Sequence, residues 1–331
     1  SRLLIDALEQ NGQPRPPSLR QRADGQWVAD VFPTGLDEKL AYTGWRAEVW
    51  IEPGKSPSQG RIYRERSPSS AKGAVCLVLG AGNVASIAPM DVLYKLFVEN
   101  EVCVLKMNPV NEVGGPFIEK MFAALVDSGY VAVVYGGADV GKHLTDHASV
   151  DTIHITGSDR THDAIIWGAD ADAAKKAGKP RLNKPISSEL GCVTPVIVVP
   201  GAWSDGDVEY HARHVAGMVA QNGSFNCNAA KVVVTAKAWP QRERFLEKLD
   251  EALRKAPARK AYYPGAEQRY AAFVEKYPHA KVLGQQGPQI VPWTVLPDVP
   301  AKQGEYALTS EAFCGVLAEA NLEQIYSSYL S

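Results

Sequence analysis

The chain has 331 residues, 45% of them apolar, which is enough for two α/β cores and more than one typical domain needs. A formal net charge of −2 leaves no basic excess to neutralise phosphates, so no nucleic-acid partner is expected. No apolar run reaches membrane-spanning length, and the start Ser1-Arg2-Leu3-Leu4-Ile5-Asp6 does not continue as a secretory core, so no membrane span and a cytoplasmic location are expected.

Residues 1–70 carry Pro14, Pro16, Pro17, Pro53 and Pro57 around an apolar patch at 45–51, which predicts an irregular lead-in with a strand or two. Arg61, Arg64 and Arg66 read there as a solvated loop. From Ala74 onward, short apolar runs at 74–79, 102–106, 131–135 and 150–155 predict buried strands. Helical patterns at 89–98, 116–127 and 140–147 separate them, the rhythm of a largely parallel sheet covered by helices. The Ala-, Asp- and Lys-rich stretch 169–185 reads as a solvated helix and loop. A second set follows: strand 196–199, helix 205–220 after a Ser204 cap, strand 231–235 and helix 241–255.

Several segments carry chemistry. The loop Gly80-Ala81-Gly82-Asn83-Val84-Ala85 fits the glycine pattern of a dinucleotide fold, with Glu101 near the ribose position. Against that, Pro89 suits the first turn of the following helix and sets its N-terminus too far from Gly80 to cradle a pyrophosphate. Gly157-Ser158 closes a strand where a helix begins, and exposed N–H groups at such a start favour phosphate. Glu189, in Ser188-Glu189-Leu190-Gly191, places a carboxylate at an apolar wall, where desolvation would raise its pKa toward that of a useful base.

Of five cysteines, Cys76 and Cys103 lie inside apolar strands as packing residues. Cys227 follows a helix ending at Gln221 and sits in the polar turn Asn222-Gly223-Ser224-Phe225-Asn226-Cys227, an exposed, hydrogen-bonding setting that Cys76, Cys103, Cys192 and Cys314 lack. The odd number and wide spacing of the cysteines predict neither a disulfide scaffold nor a structural metal, and His143, His147, His211 and His214 read as surface helix positions. Trp45, Trp167, Trp203 and Phe225 could line an apolar tunnel, though such residues are more often core.

Taken in order, Gly82-Asn83, Lys106, Ile155-Thr156-Gly157-Ser158, Glu189-Leu190-Gly191, Asn222 with Cys227, and Glu311-Ala312-Phe313 resemble the aldehyde dehydrogenase superfamily over residues 71 to about 317. The resemblance implies an α/β fold of two Rossmann-like parallel-sheet domains with the active site in the cleft between them. It assigns 71–190 to NAD(P) binding and 191–331 to an incomplete thiol-bearing domain, with 1–70 packed on the cofactor domain. It implies Cys227 as nucleophile, Asn83 as oxyanion donor and Glu189 as base. Lys106, Gly137, Gly141, Gly157, Ser158 and Glu311 would bind NAD or NADP, with a small aldehyde as substrate and a homo-oligomer as the assembly.

Departures from the family pattern are Met107-Asn108-Pro109 after Lys106, Cys192 for the second glycine after Glu189, Ser224 and Phe225 before Cys227, and Gly315 for proline. The residues beside Cys227 keep open an acyl-CoA reductase on the same fold, and the 20 positions after Glu311, fewer than the family pattern has, keep open a non-catalytic scaffold relative.

Overall fold

The computed structural model describes residues 18–58 and 73–323, together with Ile5 and Glu9. Pro14, Pro16, Pro17 and the cluster Arg61, Arg64, Arg66 lie outside the described residues. The described residues fall into two compact units, one within Ser1–Val75 and Val92–Cys103, the other within Cys76–Asp91 and Val104–Ser331.

In the first unit, β1 (Ser18–Gln21), β2 (Trp27–Phe32) and β3 (Ala47–Trp50) form an antiparallel sheet in the order β1-β2-β3. The lead-in is therefore more regular than its prolines suggest. Gly25, at φ +85°, turns β1 into β2, a conformation only glycine adopts without strain. Arg20 pairs with Glu48 across the sheet at 2.6 Å, and Arg46, two residues before Glu48, pairs with it at 2.5 Å. Helix α1 (Leu36–Ala41) connects β2 to β3.

Two five-stranded sheets follow along the chain. The first runs β6-β5-β4-β7-β8, from β4 (Ala74–Leu79), β5 (Glu101–Lys106), β6 (Val131–Val134), β7 (Thr152–Gly157) and β8 (Ile186–Leu190). Its β4–β7 and β7–β8 pairings are parallel. The second runs β11-β12-β13-β10-β9, from β9 (Pro195–Ile197), β10 (Val232–Ala236), β11 (Lys281–Val282), β12 (Thr294–Leu296) and β13 (Val316–Leu322). All its pairings are parallel except β11 with β12.

Alternation along β10 explains how this second sheet is sandwiched, because successive side chains point to opposite faces. Val233 joins Val215, Val219, Phe245, Leu249 and Leu317 in one cluster, while Val232 joins Phe225, Phe273, Leu296 and Val316 in another. Each fully buried side chain of this size stabilises the fold by about 1.5–3 kcal/mol. In the first sheet Leu77, Val150, Ile153 and Leu182 form the corresponding core.

Nine helices enter the argument in chain order after α1: α2 (Ile87–Tyr94), α3 (Gly115–Met121), α4 (Ala123–Asp127), α5 (Ala138–Asp146), α6 (Asp159–Trp167), α7 (Ala171–Ala177), α8 (Asp205–Ala220), α9 (Arg242–Lys255) and α10 (Ala266–Lys276). The helix expected at 116–127 is two helices, because Phe122 leaves helical dihedrals to bury its ring. The helix expected to start at Pro89 starts at Ile87, still seven positions after Gly80. Ser204 caps α8 as the sequence predicts: its hydroxyl accepts from the Asp207 N–H while the Asp207 carboxylate accepts from the Ser204 N–H.

Candidate active site

The turn that bears Cys227 begins where α8 ends. Asn222, Gly223 and Ser224 follow it with φ of 52°, 67° and 68°, three left-handed residues in a row. Only Gly223 adopts that region without cost. Ser224 is fully buried, and among the described residues its hydroxyl has no hydrogen-bond partner. Strain and an unsatisfied hydroxyl coincide at one residue. Ser224→Gly is therefore expected to stabilise the chain by about 1 kcal/mol in urea unfolding; a destabilised variant would mean that the hydroxyl has a partner in solution.

Beyond Ser224, three successive carbonyls are each held by side chains. The Phe225 oxygen accepts from Asn83 Nδ2 at 2.8 Å and from Asn222 Nδ2 at 3.3 Å. The Asn226 oxygen accepts from Lys231 Nζ at 2.7 Å. The Cys227 oxygen accepts from Thr194 Oγ1 at 2.8 Å and from Cys192 Sγ at 3.0 Å. With its carbonyls tied back, the turn leaves the Cys227 side chain exposed.

Asn83 and Asn222 are joined directly, since Asn222 Nδ2 donates to the Asn83 oxygen at 3.0 Å, and Tyr262 Oη donates to that oxygen and to Asn222 Oδ1, both at 3.1 Å. Residues 139 positions apart in the chain thus meet. An amide NH2 has two hydrogens, so the bond to Phe225 leaves Asn83 one for an oxyanion.

Glu311 is half-buried against Gly191, where an added Cβ would displace its carboxylate. Burial raises the Glu311 carboxyl above its ordinary value, against the opposing pull of Lys231, the Cys192 backbone N–H and Arg269. Its Oε1 is buried and, among the described residues, has no hydrogen-bond partner. Lys231 is 3% exposed, and burial lowers its pKa while Glu311, Cys192, Cys314 and Cys227 oppose that shift.

Lys106 ends β5, 8% exposed, its pKa lowered by burial against the attraction of Asp139 and Glu112. Asp139 opens α5, whose N-cap is Gly137; Gly141 lies on its second turn with open space around its Cα. Gly157 ends β7 and Ser158 caps α6, its hydroxyl accepting from the Thr161 N–H at 3.2 Å. Asp159 of the same helix lies within electrostatic reach of Glu311. The sequence thus marks two helix starts and two ionisable groups that the fold sets at strand ends.

Two expectations need correction. The Glu189 side chain is exposed on β8, an edge strand, and is not set at an apolar wall. Cys192 shares the exposed, hydrogen-bonded setting expected of Cys227 alone, because its loop crosses the thiol turn. Phe225 and Trp203 follow the expectation that such aromatic residues are more often core: Phe225 is buried in one cluster and Trp203 packs against Trp239 at the edge of the other.

Sequence reasoning missed Lys231, Thr194 and Tyr262. A lysine between Ala229-Ala230 and the run Val232-Val233-Val234 was the available signal, since an ammonium inside apolar sequence must find an internal acceptor. The two tyrosines preceding Pro264-Gly265 gave no comparable hint.

Two parallel-rich sheets with helices between their strands, and strand-end loops carrying the polar groups, define an α/β protein of Rossmann-like architecture. Residues 69–276 match the model of the aldehyde dehydrogenase family, and the chain belongs to that family. It is 25% identical over 233 residues to an N-succinylglutamate 5-semialdehyde dehydrogenase of Sphingopyxis alaskensis, covering 65% of this chain and 45% of that protein. The chain thus spans about half the length of such relatives. Among solved structures, a salicylaldehyde dehydrogenase from Pseudomonas putida G7 superposes with TM-score 0.60 at 17% identity, over 76% of this chain and 52% of that one. An NADP-dependent glyceraldehyde-3-phosphate dehydrogenase from Bacillus halodurans C-125 gives 0.57 at 21% identity, with the same coverage.

Among the described residues, no helix is long and apolar enough to cross a membrane.

Proposed function

We propose that the chain takes part in NAD(P)-dependent oxidation of a small aldehyde to a carboxylic acid, with Cys227 as the covalent nucleophile. The observation that carries this reading is the direct union of Asn83 with the Asn222–Cys227 turn, which ties an amide donor to the turn that bears an exposed thiol.

In this reading Cys227 Sγ attacks the aldehyde carbon, and the remaining Asn83 N–H and the Cys227 backbone N–H hold the developing oxyanion. NAD(P)+, when bound, supplies the hydride acceptor that lets this adduct pass to a thioester. Glu189 then takes the proton of the water that attacks the thioester carbonyl. Its exposure suits a base that meets solvent. The residues present fit the cofactor: the partnerless Oε1 of Glu311 is an acceptor suited to a ribose hydroxyl, and the Ser158 start of α6 suits phosphate. Lys106, with Gly137 and Gly141 at α5, would hold the other ribose. Residues 71–190 would then carry the cofactor and 191–331 the thiol, in a cytoplasmic homo-oligomer.

Glu189→Gln is expected to release one equivalent of NAD(P)H per chain on mixing with aldehyde and then stall, with steady-state turnover down about 100-fold or more, as for loss of a general base. Undiminished turnover would remove Glu189 from the reaction. The same exposure of Glu189 favours one second reading, in which coenzyme A takes the acyl group. Acyl-CoA-dependent NAD(P)H oxidation exceeding aldehyde-dependent reduction would select it.

A further inference from the structure

Cys192 replaces the glycine that the family pattern sets after Glu-Leu-Gly, and its position relative to the thiol turn is close. Its Sγ lies 3.0 Å from the carbonyl oxygen of Cys227 itself and 3.0 Å from Thr194 Oγ1, and both cysteines are free and exposed. Cys192 Sγ thus touches the backbone of Cys227, which brings the two thiols to one crossing of two loops; a disulfide between them requires Cα atoms about 4.4–6.8 Å apart.

Lys231, buried at the turn, donates to the Asn226 carbonyl at 2.7 Å and lies within electrostatic reach of both cysteines and of Glu311, which Lys231 and Arg269 partly neutralise. Tyr262 approaches from the loop before α10. Cys314 completes the group but is fully buried, its thiol pushed up to about 12 by burial, and takes no part.

We propose that Cys192 and Cys227 form a reversible disulfide under hydrogen peroxide, with Cys192 as the resolving thiol that protects Cys227 from irreversible oxidation. In the first step the Cys227 thiolate attacks one peroxide oxygen: an S–O bond forms, the O–O bond breaks, and the sulfur loses two electrons as peroxide is reduced to water. In the second, the Cys192 thiol attacks the Cys227 sulfenic sulfur, the S–S bond forms, and the S–O bond breaks as water leaves with the Cys192 proton. The sum is two thiols and one peroxide giving one disulfide and two waters. Without a resolving thiol, further peroxide carries the sulfenic acid to sulfinic acid, which dithiothreitol does not reverse.

The disulfide does not require that the chain oxidise aldehydes, so peptide mapping tests it separately from the proposed activity. The experiment is non-reducing peptide mapping by mass spectrometry after limited hydrogen peroxide, on the wild-type chain and on Cys192→Ser. The wild type is expected to give a cross-linked Cys192–Cys227 peptide as its main oxidation product, split by dithiothreitol. After reduction it should retain about tenfold more free Cys227 thiol than Cys192→Ser, whose Cys227 proceeds to sulfinic acid. Sulfinic Cys227 beside unmodified Cys192 in the wild type would overturn the proposal, as would a disulfide between two copies of the chain. Should Cys192→Ser fold poorly, the wild-type map decides alone.

Discussion

Cys227→Ala is expected to abolish aldehyde-dependent NAD(P)H formation, with turnover falling on the order of 10⁴-fold or more, the scale seen when a covalent nucleophile is removed. The size follows from the division of labour at the turn. In the proposed reaction Asn83, the Cys227 backbone N–H and the cofactor-facing groups would polarise or orient, and none of them could form the covalent bond that divides it into two easier steps. Folding should survive the change, because the Cys227 side chain is exposed and the turn is held through its backbone carbonyls by Asn83, Asn222, Lys231 and Thr194. A variant retaining its unfolding midpoint while losing turnover is the expected pair of results. Residual activity within tenfold of wild type would shift the reaction to another group, Cys192 first among them.

The second large effect is on stability. Glu319 lies on β13 with 1% exposure, a carboxylate inside the sheet sandwich. It is fully provided for: Oε1 accepts from Thr235 Oγ1 at 2.6 Å and Arg242 Nη2 at 2.9 Å, and Oε2 accepts from the Asp298 N–H at 3.0 Å. Arg242 also donates through Nε to Thr235 Oγ1 at 3.0 Å, tying the first turn of α9 to β10 and β13. Removing one member of a buried pair leaves the other charge without compensation, which costs about 3–5 kcal/mol. Arg242→Met should lower unfolding free energy by that amount in urea titration. Adding Glu319→Gln should recover most of it, because the stranded charge is gone. A loss under about 1 kcal/mol for Arg242→Met would show that water or Asp298 already compensates the carboxylate.

That network also shows where sequence reading stops. The buried strands at 74–79 and 232–236 and the capped helix α8 were legible because apolar runs and a Ser204–Asp207 box are local signals. Glu319, in Val316-Leu317-Ala318-Glu319-Ala320, has no local partner; its three donors come from residues 235, 242 and 298, so only tertiary structure explains a carboxylate in that run. The same holds for Lys231.

At the site, Asn83, Glu189, Cys227 and Glu311 were named from order and resemblance. What that order did not convey was which carbonyls the turn must hide, and hence why Thr194, Lys231 and Tyr262 converge on it. Nor did it convey that Glu189 would stand in solvent on an edge strand.

The most direct test of the central reading is acyl-enzyme trapping: the Glu189→Gln chain mixed with aldehyde and NAD(P)+, quenched in acid and mapped by peptide mass spectrometry. The account predicts an acyl thioester on the peptide bearing Cys227, formed only when both aldehyde and cofactor are present. An unmodified Cys227, or an acyl group found on Cys192 instead, would contradict it.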